Sequence, residues 1–147
     1  MPWNTPFAKV QWLVCDSLNS DCEFEWELQL VEHHVVDAER PQVIPDDPVG
    51  KLLTQTSPIV ETADSRRWQV RFDYAVAFRS ESESFSFKQH WPEPEVRSAT
   101  YILEDSPWIE EIGEELLGEL VPGCRHYVIF TSHVIIEVIS PNEPVVS

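Results

Sequence analysis

Apolar and polar positions alternate with a period of two over several separate stretches of this chain. In EFEWELQLVEHHVV, Phe24, Trp26, Leu28 and Leu30 share one parity, while Glu23, Glu25, Glu27 and Gln29 hold the other. Side chains of a strand point alternately to its two faces, so the run predicts a strand with one face in the core and one in water. Such alternation belongs to antiparallel sheets, because strands covered on both faces read as continuous apolar runs. Upstream, FAKVQWLV sets Ala8, Val10, Trp12 and Val14 against Phe7, Lys9, Gln11 and Leu13, which predicts a second half-buried strand. SLNSD after it reads as a turn, rich in side chains that bond locally to the backbone.

The longest alternation is WQVRFDYAVAFR, with Trp68, Val70, Phe72, Tyr74, Val76 and Phe78 on one face. Their neighbours Gln69, Arg71, Asp73, Ala75, Ala77 and Arg79 hold the other face, and the run predicts a single strand able to cross a whole sheet. SESESFSF reads as a polar turn and a returning strand through Phe85 and Phe87; ATYILE is a further short strand. QHWPEPEVRS, with two prolines two apart, predicts an extended crossing loop.

Between residues 37 and 67 the pattern dissolves, and Pro41, Pro45, Pro48 and Pro58 exclude a helix interior or a central strand. A connection of about 30 residues is uncommon in a compact domain and is usually functional or hides a short element. Lys51 to Leu53 would fit one helical turn, and the segment is the first place to look for a lid or a partner-binding arm.

SPWIEEIGEELLGELVPG changes the period to that of a helix. Ser106 is a good N-cap, and Pro107 suits the first helical position, where its missing N–H costs nothing. Trp108, Ile109, Ile112, Leu116 and Leu120 fall on one arc; Glu110, Glu111, Glu114 and Glu115 fall on the opposite one. Pro122 and Gly123 end it. Gly113 and Gly118 each cost about 1 kcal/mol relative to alanine, so packing must hold this helix.

HYVIFTSHVIIEVIS predicts a hairpin, with two registers to weigh. A two-residue turn at Thr131 and Ser132 pairs Phe130 with His133 and His126 with Glu137, leaving Tyr127, Ile129, Val134, Ile136 and Val138 on a purely apolar face. A three-residue loop pairs Val128 with Ile136 and Tyr127 with Glu137 and segregates the faces less cleanly. Thr-Ser lacks the turn chemistry of the first register, yet burial favours it. His126 and Glu137 then form a cross-strand pair on the wet face.

Composition adds a charge. Ten Lys and Arg stand against 26 Asp and Glu, a formal −16, a field that repels nucleic acid and anionic membrane and attracts a basic partner. Arg66, Arg67, Arg71 and Arg79 form the one arginine-rich stretch, with Asp64 and Asp73 among them. At 42 % apolar and 11 % aromatic, the chain can build a packed core as one domain. The start lacks the apolar core of a secretory signal, and Glu137 interrupts the longest apolar run, short of a membrane span. Cys15, Cys22 and Cys124 show no C-x-x-C spacing, which fits reduced thiols in a cytoplasmic protein.

Candidate chemistry is sparse. Cys124, His126 and His133 resemble a ligand set, but the two histidines fall at opposite ends of the hairpin. His33 and His34 point to opposite faces of a strand. Asp46 and Asp47 read as a solvated turn. No nucleophile elbow, metalloprotease helix or phosphate-cradling glycine loop is present. The acidic helix face remains: like charges at i,i+4 repel, the neighbouring turns carry no basic residue, and tolerating that repulsion points to a basic partner.

The sequence thus predicts one α+β domain over residues 1–147: a curved, aromatic-rich antiparallel sheet of five to seven strands on one principal helix near residues 107–120. The functional expectation is a cytoplasmic, non-catalytic interaction module of the inhibitor or immunity type. It binds a protein partner, basic by complementarity, through Glu110, Glu111, Glu114 and Glu115, with no metal, cofactor, nucleic acid or membrane. The alternative is a small-molecule-binding domain, with or without catalysis, whose pocket lies between sheet and helix.

Overall fold

The computed structural model describes residues 1, 3–21, 23–36, 58–82, 98–115 and 123–147. In chain order they form β1 (Leu13–Ser20), β2 (Trp26–Glu32), β3 (His34–Val35), β4 (Ile59–Val60), β5 (Arg67–Phe72), β6 (Ala77–Ser82), β7 (Thr100–Leu103), α1 (Pro107–Glu115), β8 (Arg125–Phe130), β9 (Val134–Ser140) and β10 (Val145–Val146). The fold is broadly α+β, mostly antiparallel sheet with one short helix among the described residues.

The strands divide between two four-stranded sheets, ordered β1-β2-β5-β10 and β6-β9-β8-β7, and a small β3-β4 ribbon. This corrects the expectation of one sheet of five to seven strands, and the cause lies in the longest alternation. Asp73 to Val76 break it: the Ala75 N–H donates to Phe24 O and the Val76 N–H to Ile139 O, so the chain leaves β5 in one sheet and enters β6 in the other. Phe72 and Phe78 are an even number of residues apart and both reach the core, so the parity runs through the crossing and hides it.

Leu28, Leu30, Val70 and Phe72 of the first sheet and Tyr127, Ile129, Ile136 and Val138 of the second fill one core, all at most 1 % exposed. Aromatic pairs bridge the sheets. Trp26 stacks on Phe78 with ring centroids 4.0 Å apart, and Phe72 meets Tyr127 edge-on at 5.6 Å. Such pairs contribute about 0.5–1.5 kcal/mol beyond their buried area.

Two N-terminal expectations change. Residues 6–9 form a turn in place of a strand, with Phe7 inserted into the core, and β1 starts only at Leu13. SLNSD is not the turn: β1 runs through Ser20, and the reversal follows, where Asp21 Oδ1 accepts the Glu23 and Glu25 N–H groups at 2.9 and 3.3 Å. The segment expected to be irregular to residue 67 holds β4 and the first residue of β5; its residues 37–57 lie outside the described residues. So do Phe85, Phe87, most of QHWPEPEVRS, and Leu116 to Pro122 of the predicted helix and its end. Gly123 sits at φ 85°, a left-handed conformation that favours glycine.

The second sheet is covered on both faces. Its outer face carries Tyr101, Val128 and Ile135, each at most 8 % exposed, in a smaller apolar cluster. Helix α1 lies against that face through Trp108, which meets His126 edge-on at 5.3 Å. Ser106 caps the helix, accepting the Ile109 N–H at 3.2 Å as the sequence predicts.

Candidate functional site

The β8-β9 hairpin adopts neither predicted register. Phe130 pairs with Ile135 and His126 with Ile139, so the connection is one residue longer than the longer alternative. Thr131 makes that turn: its Oγ1 donates to Val134 O at 2.8 Å and accepts the Val134 N–H at 3.1 Å. The shift from the favoured register is an even number of positions, so every side chain keeps its predicted face. His126 and Glu137 do share a face, as diagonal rather than direct neighbours.

That face is not wet. His126 is 2 % and Glu137 1 % exposed, because α1 covers them. Polar groups buried this far must find partners, and three elements supply them. Arg79 of β6 stands directly opposite Glu137 and donates through Nε to Oε2 at 2.6 Å and through a terminal nitrogen to Oε1 at 2.7 Å. The His126 Nε2 lies 3.0 Å from Oε1, with the N–H direction off the line to that oxygen. On its other side, His126 Nδ1 meets Ser106 Oγ at 2.7 Å. Trp108 closes the top, with the Arg79 guanidinium 4.1 Å from its ring centroid.

Burial alone would raise the Glu137 carboxyl above its ordinary range. The contacts from His126 and Arg79, with the Arg79 charge, outweigh that and hold it below. The fork on Glu137 pushes the Arg79 guanidinium further up. Ser106 Oγ shares a hydrogen bond with His126 Nδ1 and accepts the Ile109 N–H, so one side chain joins the cap of α1 to the buried ion pair.

Ser106, His126 and Glu137 have the connectivity of a serine hydrolase triad, but not its access. Ser106 is 3 % exposed, and its oxygen already accepts the Ile109 N–H. A nucleophile must reach substrate and be free of competing bonds. This constellation fastens a helix to a sheet. The sequence shows its parts separately: Ser106 as a cap, His126 with Glu137 as a pair, and Arg79 on the polar face of the long alternation. Its signal was its parity: it falls on the strand face opposite Phe78, the face that Glu137 holds on the neighbouring strand.

Of the expected acidic face, Glu110 and Glu111 are exposed on α1; Glu114 and Glu115 continue the helix. The neighbouring turns supply no cation to that reading, but β6 does: Arg79 is close enough to feel Glu111 and Glu81. All four arginines of the arginine-rich stretch are paired: Arg66 with Glu32, Arg67 with Asp16 and Glu61, Arg71 with Asp73, and Arg79 with Glu137. No group of three or more metal-ligating side chains occurs among the described residues. Burial raises the thiols of Cys15 and Cys124 above their ordinary range, in Cys15 with help from Asp16, which leaves them poorer nucleophiles.

Two clefts of about 540 Å³ each flank the segment Lys9–Trp12. Both lie away from the sheet–helix interface. His33 and His34 line the same cleft although adjacent in sequence, because His33 sits between β2 and β3 and escapes strict alternation.

Compared with models of known protein families, with curated protein sequences and with solved structures, the chain matches none. No helix among the described residues is long and apolar enough to cross a membrane.

Proposed function

We propose that this protein is a non-catalytic interaction module that binds a basic protein partner through the acidic face of α1. Glu110 and Glu111 are its exposed members, and the helical spacing sets Glu114 and Glu115 on the same arc. The observation that carries the reading is the exposure of Glu110 and Glu111 on α1, where Arg79 directs its hydrogen bonds to Glu137 and reaches Glu111 through its charge alone, so the acidic groups of the face outnumber the cation beside them.

The formal charge of −16 extends that field around the molecule. A field of this kind speeds encounter with an oppositely charged partner and rejects like-charged ones. The closed Ser106–His126–Glu137 constellation supports the non-catalytic part of the reading. A tagged chain should retain a stoichiometric basic protein from its native cells at low salt and release it at moderate salt. Turnover of a hydrolase substrate panel, abolished by one point change, would end this reading.

A further inference from the structure

Five tryptophans fall among the described residues, and four of them, Trp3, Trp26, Trp68 and Trp108, pack against another ring. Trp12 meets none. The same contrast holds for charge. Arg66, Arg67, Arg71 and Arg79 are each held by a carboxylate, while among the described residues Lys9 has no ion pair and the His33 ring no partner. These three unengaged groups, Trp12, Lys9 and His33, line one cleft of about 540 Å³.

The cleft is a built structure. The His33 N–H donates to Trp12 O at 2.8 Å and the Glu32 N–H to Arg66 O at 2.9 Å, which tie its sides together. The Arg66 guanidinium grips both Glu32 oxygens at 2.8 and 3.0 Å. His34 also lines this cleft, with its Nε2 buried 3.7 Å from Glu32 Oε2. Lys9 and Arg66 against Glu32 leave the charged lining net positive, in a protein whose formal charge is −16.

We propose that this cleft binds a small aromatic anion, an aryl phosphate or an aromatic carboxylate. The ring lies on Trp12, and the acidic group meets the Lys9 ammonium with the His33 ring as a further donor. Engaging Lys9 breaks no existing ion pair, whereas Arg66 would have to release Glu32; Arg66 therefore shapes the wall. The volume falls within the roughly 300–1,000 Å³ of ordinary ligand sites. Remote carboxylates do not forbid the anion, because at about 0.15 M salt charges beyond roughly 8 Å are screened.

The test is calorimetric titration at that ionic strength with phenyl phosphate and, separately, benzoate; the tighter of the two identifies the acidic group. At least one should bind saturably with a Kd below about 1 mM, and phenol and inorganic phosphate should each bind at least about tenfold more weakly. Lys9→Glu, a change at an exposed position, and Trp12→Ala should each weaken binding about tenfold or more. An unchanged melting temperature of Lys9→Glu would show that its fold is intact. No saturable binding of either probe up to about 10 mM, or binding that both variants leave untouched, would overturn the proposal.

Discussion

Arg79 and Glu137 stand directly opposite each other on β6 and β9, and the guanidinium closes on the carboxylate through bonds of 2.6 and 2.7 Å. Glu137 is 1 % exposed while the Arg79 side chain is 40 % exposed, so the carboxylate depends on the pair more than the guanidinium does. Breaking a buried pair from one side leaves an uncompensated charge, at a cost of about 3–5 kcal/mol. Arg79→Met is therefore expected to destabilise the protein by about 3 kcal/mol or more, and Glu137→Gln by less. The double variant Arg79→Met, Glu137→Leu should be more stable than Arg79→Met alone. Urea denaturation of the three variants measures this; a double variant no better than the single would contradict the pairing.

Ser106 serves α1 and His126 at once. Ser106→Ala should cost about 1–2 kcal/mol, the usual effect of a lost cap together with a buried nitrogen left without its partner. Because the hydroxyl is closed off, a serine-directed fluorophosphonate should not label the native protein. Labelling that disappears in Ser106→Ala would mean that the site opens and performs chemistry.

The depressed Glu137 carboxyl makes a signed prediction about pH. In the unfolded chain Glu137 has an ordinary pKa, about 4.3; in the fold it lies lower. A carboxyl so shifted contributes stability that is fully present above its unfolded value and is lost as pH falls through its folded value. The stability gap between the native protein and Glu137→Gln should therefore be constant from about pH 6 to 7 and narrow below about pH 4. Urea midpoints across that range would reveal it; a gap that widens in acid would contradict the shift.

Tyr127 is 1 % exposed and its hydroxyl lies buried without a properly directed hydrogen bond, although Arg125 is near enough to act on it electrostatically. Burial is the largest influence on that phenol and raises it above the ordinary range. Removing a buried hydroxyl that makes no well-directed hydrogen bond among the described residues relieves its desolvation cost. Tyr127→Phe should leave stability unchanged or raise it by up to about 1 kcal/mol, read as the thermal midpoint. A loss of several degrees would show that the hydroxyl is engaged.

Faces were legible in the sequence where partners were not. Alternation placed Leu28, Leu30, Val70, Phe72, Ile129 and Val138 on buried sides, because a period of two reports the side a residue faces whatever strand lies beside it. It could not report that residues 68–79 pass from one sheet to the other, since Phe72 and Phe78 keep the same parity across the break. The hairpin failed in the same way: Thr131 builds a longer turn than either register assumed, yet an even shift preserved every face. The helix start was legible because capping is local to Ser106 and Pro107. The burial of His126 and Glu137 was not, because it depends on α1 folding back over a face that, from the strand pattern alone, reads as solvated.

The central claim, that the exposed acidic helix face binds a basic protein, is tested most directly by charge reversal at two exposed positions. The affinity of the co-purified partner should be measured for the native chain and for Glu110→Lys, Glu111→Lys across a range of salt concentrations. The account predicts native binding that weakens steeply as salt rises, and reversed-charge binding that is at least about tenfold weaker at low salt, a difference of about 1.4 kcal/mol. A partner held equally by both proteins, with no dependence on salt, would contradict it.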